Sequence, residues 1–548
     1  MGNRRTVGAF SAYLAASVVL FGLPALSDFN GTFIGPPAHP DPRFFFWALS
    51  WWPHALIDGL NPIWTYAVWA PAGYNLAWAT GVPGPSLLMF PITVTAGPVV
   101  SYNVLAILSP ALSGLAAFVL CRHVTGKFWP SLLGGYLFGF STYQLGHLGL
   151  HINLELVFLM PLVVFLVVLR AEDAISPRRF VILLTLALIF QFLTSTELFA
   201  TLVVFGGLAL GLAIILWPGE TRARMLDTAK LTGLSLCLTA VVVSPYLWYA
   251  FAHGVPRRRL DGSDLLSFFV PRLRTLIGAE TFFSWTREFP GTSVENTAYL
   301  GLPLIGILGA FAITQWRRRL TKLLIASFLL VALAALGRTL YVNGRPTIAL
   351  PWRAIEKLPV INNAAPRRFT VYLFLISAVV VAMWLASGRR AWTRWAVALL
   401  AVLFLFPKFS PDYLHGRADI PVFFASGEYR RHIGPGENIL ILPSESPSGL
   451  PQAMSMVIQA RTDFSFRLAM AYTGPPPPDF EGSRIEQALY QGKFPAVGSA
   501  EFRRFLAAHE VRTIVLDQGS VLEPAITAIL EAAPTRVDDV LIYQIQPP

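Results

Sequence analysis

Eleven apolar stretches, each near the roughly 20 residues a helix needs to cross a bilayer, recur along the first 407 residues of the chain. They read as spans near 7–27, 99–121, 129–145, 153–170, 180–196, 197–217, 230–250, 297–315, 321–337, 369–387 and 392–407. A single soluble core cannot enclose so many long uncharged runs, so the pattern dictates a polytopic α-helical membrane protein. Composition agrees: 13% of residues are charged, against about 25% in soluble domains. A hydrophobic share of 54% excludes disorder, which needs low hydrophobicity. The segment 84–97 is also apolar, but it is short and carries Pro85 and Pro91. It is expected to dip into the membrane or lie on it.

Orientation follows from the loop charges. With a cytoplasmic N-terminus, the cytoplasmic pieces hold 17 basic and four acidic residues, from Arg4 and Arg5 through Arg317–Arg319 to Arg394. The opposite loops before residue 408 hold 13 basic and 11 acidic residues. A full crossing by 84–97 would reverse that bias. Ala25-Leu26-Ser27 imitates a signal cleavage site, but the apolar run is long for a signal sequence and reads as a retained span.

The outward side then carries a first loop of 28–98, a loop of 251–296, a loop of 338–368 and a tail of 408–548. The division is a transmembrane domain over 1–407 and an extracytoplasmic domain over 408–548. The tail reads as soluble α/β: Asn438–Leu442, Arg512–Asp517 and Val540–Ile545 are short buried-strand patterns, with helical patterns at 484–491 and 500–509. Cys121 and Cys237 lie in apolar runs with no CxxC, which argues against a disulfide scaffold or a Cys-ligated zinc. Neither GxGxxG nor GxxxxGK[ST] occurs, so no nucleotide cofactor is expected. The basic residues punctuate apolar runs rather than share one solvated surface, so no nucleic-acid partner is expected.

The first outward loop is the most informative segment. Pro42 directly after Asp41 suits the first turn of a helix, with Asp41 near its cap. The run Phe44-Phe45-Phe46-Trp47, followed by Trp51-Trp52, then suits an aromatic helix in the membrane interface. An acidic side chain is thus set shortly after the first span.

Here the chain resembles the GT-C integral-membrane glycosyltransferases, which use polyprenyl-phosphate-linked sugars. Asp41-Pro42-Arg43-Phe44 looks like the Asp-Pro-x-Phe of oligosaccharyltransferase catalytic subunits, and WWPHAL, AP-x-GxNLAW, SYN and PRRF resemble phrases of bacterial GT-C-like proteins. The resemblance covers most of 1–407; the Trp-Trp-Asp motif of oligosaccharyltransferases is absent. It implies that an aspartate of this loop is the catalytic base, Asp41 first and Asp28 as its rival. A carboxylate there would take the proton of an attacking acceptor hydroxyl. Asp28, at the end of the first span, also reads as an interfacial cap.

Three further groups stand out. His147, His151 and Glu155 are spaced by four, so a helix would align them on one face, to hold a divalent metal or contact a sugar. They read equally as polar residues at the water edge of a helix hairpin. Glu197 lies at the outward turn between the fifth and sixth spans, where ionisable groups are costly. Arg257-Arg258-Arg259 and Arg367-Arg368 place positive charge on the outward side against the topology bias, which suits a lipid phosphate or anionic headgroups.

The expected activity is an inverting glycosyltransferase that moves a hexosyl or pentosyl group from a polyprenyl-phosphate donor to a lipid, glycan or protein acceptor. Its expected place is the outer face of a bacterial inner membrane, with membrane lipids around it. The alternatives are a flippase or transporter for a lipid-linked glycan, and a non-catalytic assembly protein of the same fold.

Overall fold

The computed structural model describes residues 2–252, 260–271, 275–278, 280–291, 297–356, 361–387, 391–408, 414–442, 450–474, 477, 484–490 and 498–545. The chain divides into two compact units. One comprises Met1–Leu23, Val104–Ser244 and Val255–Pro411; the other comprises Pro24–Asn103, Pro245–Gly254 and Asp412–Pro548.

The first unit is mostly helical, with one hairpin of Thr339–Val342 and Arg345–Ala349. Helices lie at every position where a span is expected, and among the described residues seven are long and apolar enough to cross a bilayer. Arg4–Ala25, Pro98–Thr125 and Ile152–Ala171 come first, then Pro177–Thr194, Thr196–Leu216, Gly219–Val242 and Pro366–Ala386. Leu302–Gln315 and Trp392–Leu405 are shorter apolar helices. Pro366–Ala386 is the most enclosed, with 83% of its apolar window buried, whereas Gly219–Val242 is only 22% buried. The first is a central helix; the second shows Leu226, Leu234, Leu238 and Val241 outward, as a lipid-facing helix does.

Small residues let the backbones approach. A Cβ at Gly139 would come within 2.4 Å of the Pro110 carbonyl and 2.8 Å of Gly114 Cα, so only glycine fits where Phe128–Gly139 crosses Pro98–Thr125. Local breaks shorten some expected spans. The stretch 129–145 is two helices, because Phe128–Gly139 stops at Phe140 and Ser141 caps a new helix, Thr142–His147, by accepting the Gln144 N–H at 3.2 Å. The span expected at 230–250 begins earlier, at Gly219, and ends at Val242, before Pro245 in the helix Ser244–Ala252.

The second unit joins the first loop to the tail. Thr32–Ile34 pairs antiparallel with His415–Arg417. A five-stranded sheet runs in the order Thr535–Val537, Val540–Gln544, Thr513–Asp517, Asn438–Leu442, Arg467–Leu468, antiparallel through the first three and parallel thereafter. Asn438–Leu442 sits between parallel partners, which is why its sequence is almost continuously apolar. The segment 84–97 forms the helix Pro83–Ala96. Its 14 residues reach about 21 Å, short of the ~30 Å apolar core of a bilayer.

The aromatic helix Asp41–Ile57 corrects an expectation. It is an enclosed core element, not a helix with its rings turned to a membrane interface. Phe44–Leu49, Trp51 and Trp52 are all buried, and Phe46 and Trp47 are fully so. Trp47 Nε1 donates to Gln459 Oε1 at 2.7 Å, and Phe464 sets its ring edge against both Trp47 and Trp51. In that packed core each ring removes a large apolar area from water.

Candidate active site

Asp41 occupies the first position of its helix, where Pro42 is tolerated because the missing N–H would have no partner there. A carboxylate in a first helical turn faces the positive end of the helix dipole. Tyr472 donates its hydroxyl to Asp41 Oδ1 at 2.6 Å. His39 Nδ1 lies 3.8 Å from Asp41 Oδ2 and accepts the Asp41 backbone N–H at 3.3 Å, an arrangement that suits its neutral Nε2–H tautomer. The Asp41 side chain is only 18% exposed.

Arg43 braces the loop that leads into Asp41. Its Nη1 donates to the carbonyls of Pro37 at 2.9 Å and His39 at 3.0 Å, its Nε lies 2.7 Å from Met454 Sδ, and its guanidinium sits over the Phe33 ring. Burial pushes its pKa down to about 10, which still leaves it charged at neutral pH.

Asp28 is placed differently. One oxygen accepts the Gly31 N–H at 2.9 Å and the other meets Arg417 at 2.9 Å. Arg417 also binds Asp419 through two 2.9 Å contacts, and Arg461 donates to the Asn30 carbonyl at 2.8 Å. Asp28 therefore ties the first loop to the tail.

In the first unit, two residues singled out separately in the sequence come together. Glu197 lies in the first turn of Thr196–Leu216; it accepts the Ala365 N–H at 2.8 Å and pairs with Arg368. The two side chains are 15% and 17% exposed, so solvent screens them little. Arg367 is buried on the same turn, Pro366–Phe369, with its guanidinium against Gly291. Arg257, Arg258 and Arg259 lie outside the described residues.

The histidine–glutamate alignment fails. The helix Thr142–His147 ends at Leu148, Gly149 takes a φ of +63°, and a new short helix, Ile152–Glu155, starts after His151. Spacing by four therefore does not make one face here. His147 and His151 meet at 3.2 Å through their Nδ1 atoms, while Glu155 accepts the Gly149 N–H at 2.7 Å. Ser109 and Gln144 both donate to the Glu155 carbonyl, at 2.6 and 3.0 Å. The cluster knots a reverse turn. Among the described residues no three His, Cys, Asp or Glu side chains are grouped as a metal site would need.

Sequence reasoning did not find Tyr472, His39, Arg417 or Arg461. Tyr472 stands 431 positions from Asp41, and no local pattern in the tail marks it.

This architecture is that of the GT-C glycosyltransferase fold. The arabinofuranosyltransferase AftD from mycobacteria superposes on 99% of this chain with a TM-score of 0.57 and 14% identity, and 42% of its own length is covered. The chain thus spans less than half of that relative. An oligosaccharyltransferase from Archaeoglobus fulgidus, tethered to an acceptor peptide, superposes on 93% of this chain and is covered over 69% of its own, with a TM-score of 0.53 and 13% identity. At such identities the likeness is one of fold. No curated protein matches the sequence. Residues 11–406 match the family described as a domain of unknown function, DUF6311, and the chain belongs to that family.

Proposed function

We propose that this protein is an inverting glycosyltransferase that takes its sugar from a polyprenyl-phosphate carrier at the outer face of a bacterial inner membrane. The observation that carries the reading is Asp41: a carboxylate at the start of the first-loop helix, partly shielded and oriented by Tyr472, on a fold shared with sugar transferases. Asp28, bound to Arg417 and to its own turn, is the weaker candidate.

In a single displacement, the acceptor hydroxyl attacks the anomeric carbon as Asp41 takes its proton. The C–O bond to the carrier phosphate breaks and the phosphate leaves with the electron pair. A guanidinium grips such a phosphate through two oxygens at once, and we assign that task to the Arg367–Arg368 pair.

Purified full-length protein in nanodiscs, given polyprenyl-phosphate pentose or hexose and cell-envelope acceptors, should release free polyprenyl phosphate. Passage of the intact lipid-linked sugar across proteoliposomes, without its cleavage, would replace this reading with transport. A reporter active only outside the cytoplasm, fused after Pro548, should be active; activity of a cytoplasm-only reporter there would overturn the orientation.

A further inference from the structure

We infer that the C-terminal tail is a working part of the site, with Tyr472 as a positioning residue that fixes the Asp41 carboxylate and holds it ionised. The inference rests on the reading of Asp41 as base.

The backbone shows how the tail delivers this side chain. On one side, Leu468 and Ala469 are stitched to the sheet: Leu468 pairs with Ile439, and the Ala469 N–H donates to the Ile439 carbonyl at 3.0 Å. On the other side they meet the first loop, where the Leu468 N–H donates to the Ala67 carbonyl at 2.9 Å and the Ala70 N–H to the Leu468 carbonyl at 3.0 Å. Gln459 repeats the tie, with its Nε2 donating to the carbonyls of Ala67 and Phe466 at 2.8 Å each. Ala469, Met470 and Ala471 are buried, and Trp69 Nε1 donates to Thr473 Oγ1 at 3.0 Å. Tyr472 is therefore held between two anchored neighbours, with its hydroxyl on Asp41 Oδ1.

A phenol that donates to a carboxylate favours the charged form and lowers its pKa. With Tyr472 on Oδ1, proton transfer falls to Oδ2, the oxygen on the His39 side. The ionisable groups around Asp41 include Tyr472, His39 and, two positions along its helix, Arg43. Of the two helices packed on Asp41–Ile57, Leu450–Arg461 contributes Arg461, which is bound to the Asn30 carbonyl, and Pro83–Ala96 carries no ionisable residue. Removing the Tyr472 hydroxyl should thus raise the Asp41 pKa.

The test is an infrared titration of the full chain in nanodiscs, with Asp41→Asn as the blank that isolates the Asp41 carboxyl band. Tyr472→Phe should move the band's midpoint up by about one pH unit, a tenfold change in the protonation constant. The acid limb of kcat/KM for sugar transfer should move up by the same amount. A midpoint left in place would overturn the inference. If Tyr472→Phe does not fold, fluorotyrosine at this position keeps the shape and strengthens the donor, and the midpoint should fall; no movement would again overturn it. Wild-type transfer by Asp41→Asn would remove the base reading itself. An inactive Asp41→Asn together with an unmoved Tyr472→Phe profile would remove only the positioning role.

Discussion

Asp41 and Glu197 are both carboxylates in the first turn of a helix, one in each unit, and their partners set them apart. Glu197 faces Arg368 and a backbone N–H, so its charge is answered by a fixed cation. Asp41 faces a tyrosine hydroxyl and a histidine that accepts from its own backbone N–H. A carboxylate matched by a guanidinium is a strut. One that accepts from a neutral hydroxyl is not neutralised by that partner. Helix position alone does not reveal the chemistry; the partner does.

The largest expected effect breaks this comparison at one end. Asp41→Asn should lower sugar transfer by on the order of 100-fold or more while its unfolding midpoint stays near wild type. Glu197→Gln should do the reverse, leaving Arg368 enclosed without its counter-charge and costing about 2–3 kcal/mol of stability. Equal rate losses in the two variants would erase the distinction.

The arginine pair sharpens it next. Arg367→Lys/Arg368→Lys keeps the charge opposite Glu197 but loses the planar fork. Donor use should fall about tenfold with little loss of stability. The alanine pair should lose both. If lysine serves as well as arginine in transfer assays, these residues do not grip the phosphate.

The enclosed core bears on stability rather than on rate. Trp47 is fully buried and its indole N–H is bonded to Gln459, so Trp47→Ala should cost about 3–5 kcal/mol in chemical denaturation. A loss under ~1 kcal/mol would mean that the helix works at a surface after all.

How much of this was legible in the sequence depended on the range of the forces involved. The helical character of the apolar stretches was legible because length and apolarity mark it, and the helix start at Asp41 because Pro42 marks it. The strands at Asn438–Leu442, Thr513–Asp517 and Val540–Gln544 were visible as apolar runs. The pairing of Thr32–Ile34 with His415–Arg417 was not, since three residues carry too little pattern to name a partner so distant in sequence. Tyr472 was hidden for the same reason: its place follows from where Leu468 meets Ala67, a tertiary register. His147, His151 and Glu155 misled because spacing presumes an unbroken helix, and Gly149 breaks it. The rings of Phe44–Trp47 misled because aromatic richness suits both an interface and a core.

The smallest effect belongs to the exposed network. Arg417 holds the Asp419 carboxyl below the usual carboxylate range, so the pair's stabilisation is present above about pH 4 and fades as pH falls through the lower folded value. With Arg417 60% and Asp419 62% exposed, Asp419→Asn should cost under ~0.5 kcal/mol at neutral pH, and less in high salt. A larger loss would make this network, and not the buried contacts, the main tie between loop and tail.

The central claim, a single displacement with Asp41 as base, is tested most directly by the stereochemistry of transfer. With a polyprenyl-phosphate sugar of defined anomeric configuration as donor, the configuration of the first-formed glycoside is read by nuclear magnetic resonance before it can equilibrate. One displacement inverts the anomeric centre, so the account predicts a product of configuration opposite to the donor. A product that retains the donor's configuration would rule out a single in-line displacement, and would contradict the role assigned to Asp41.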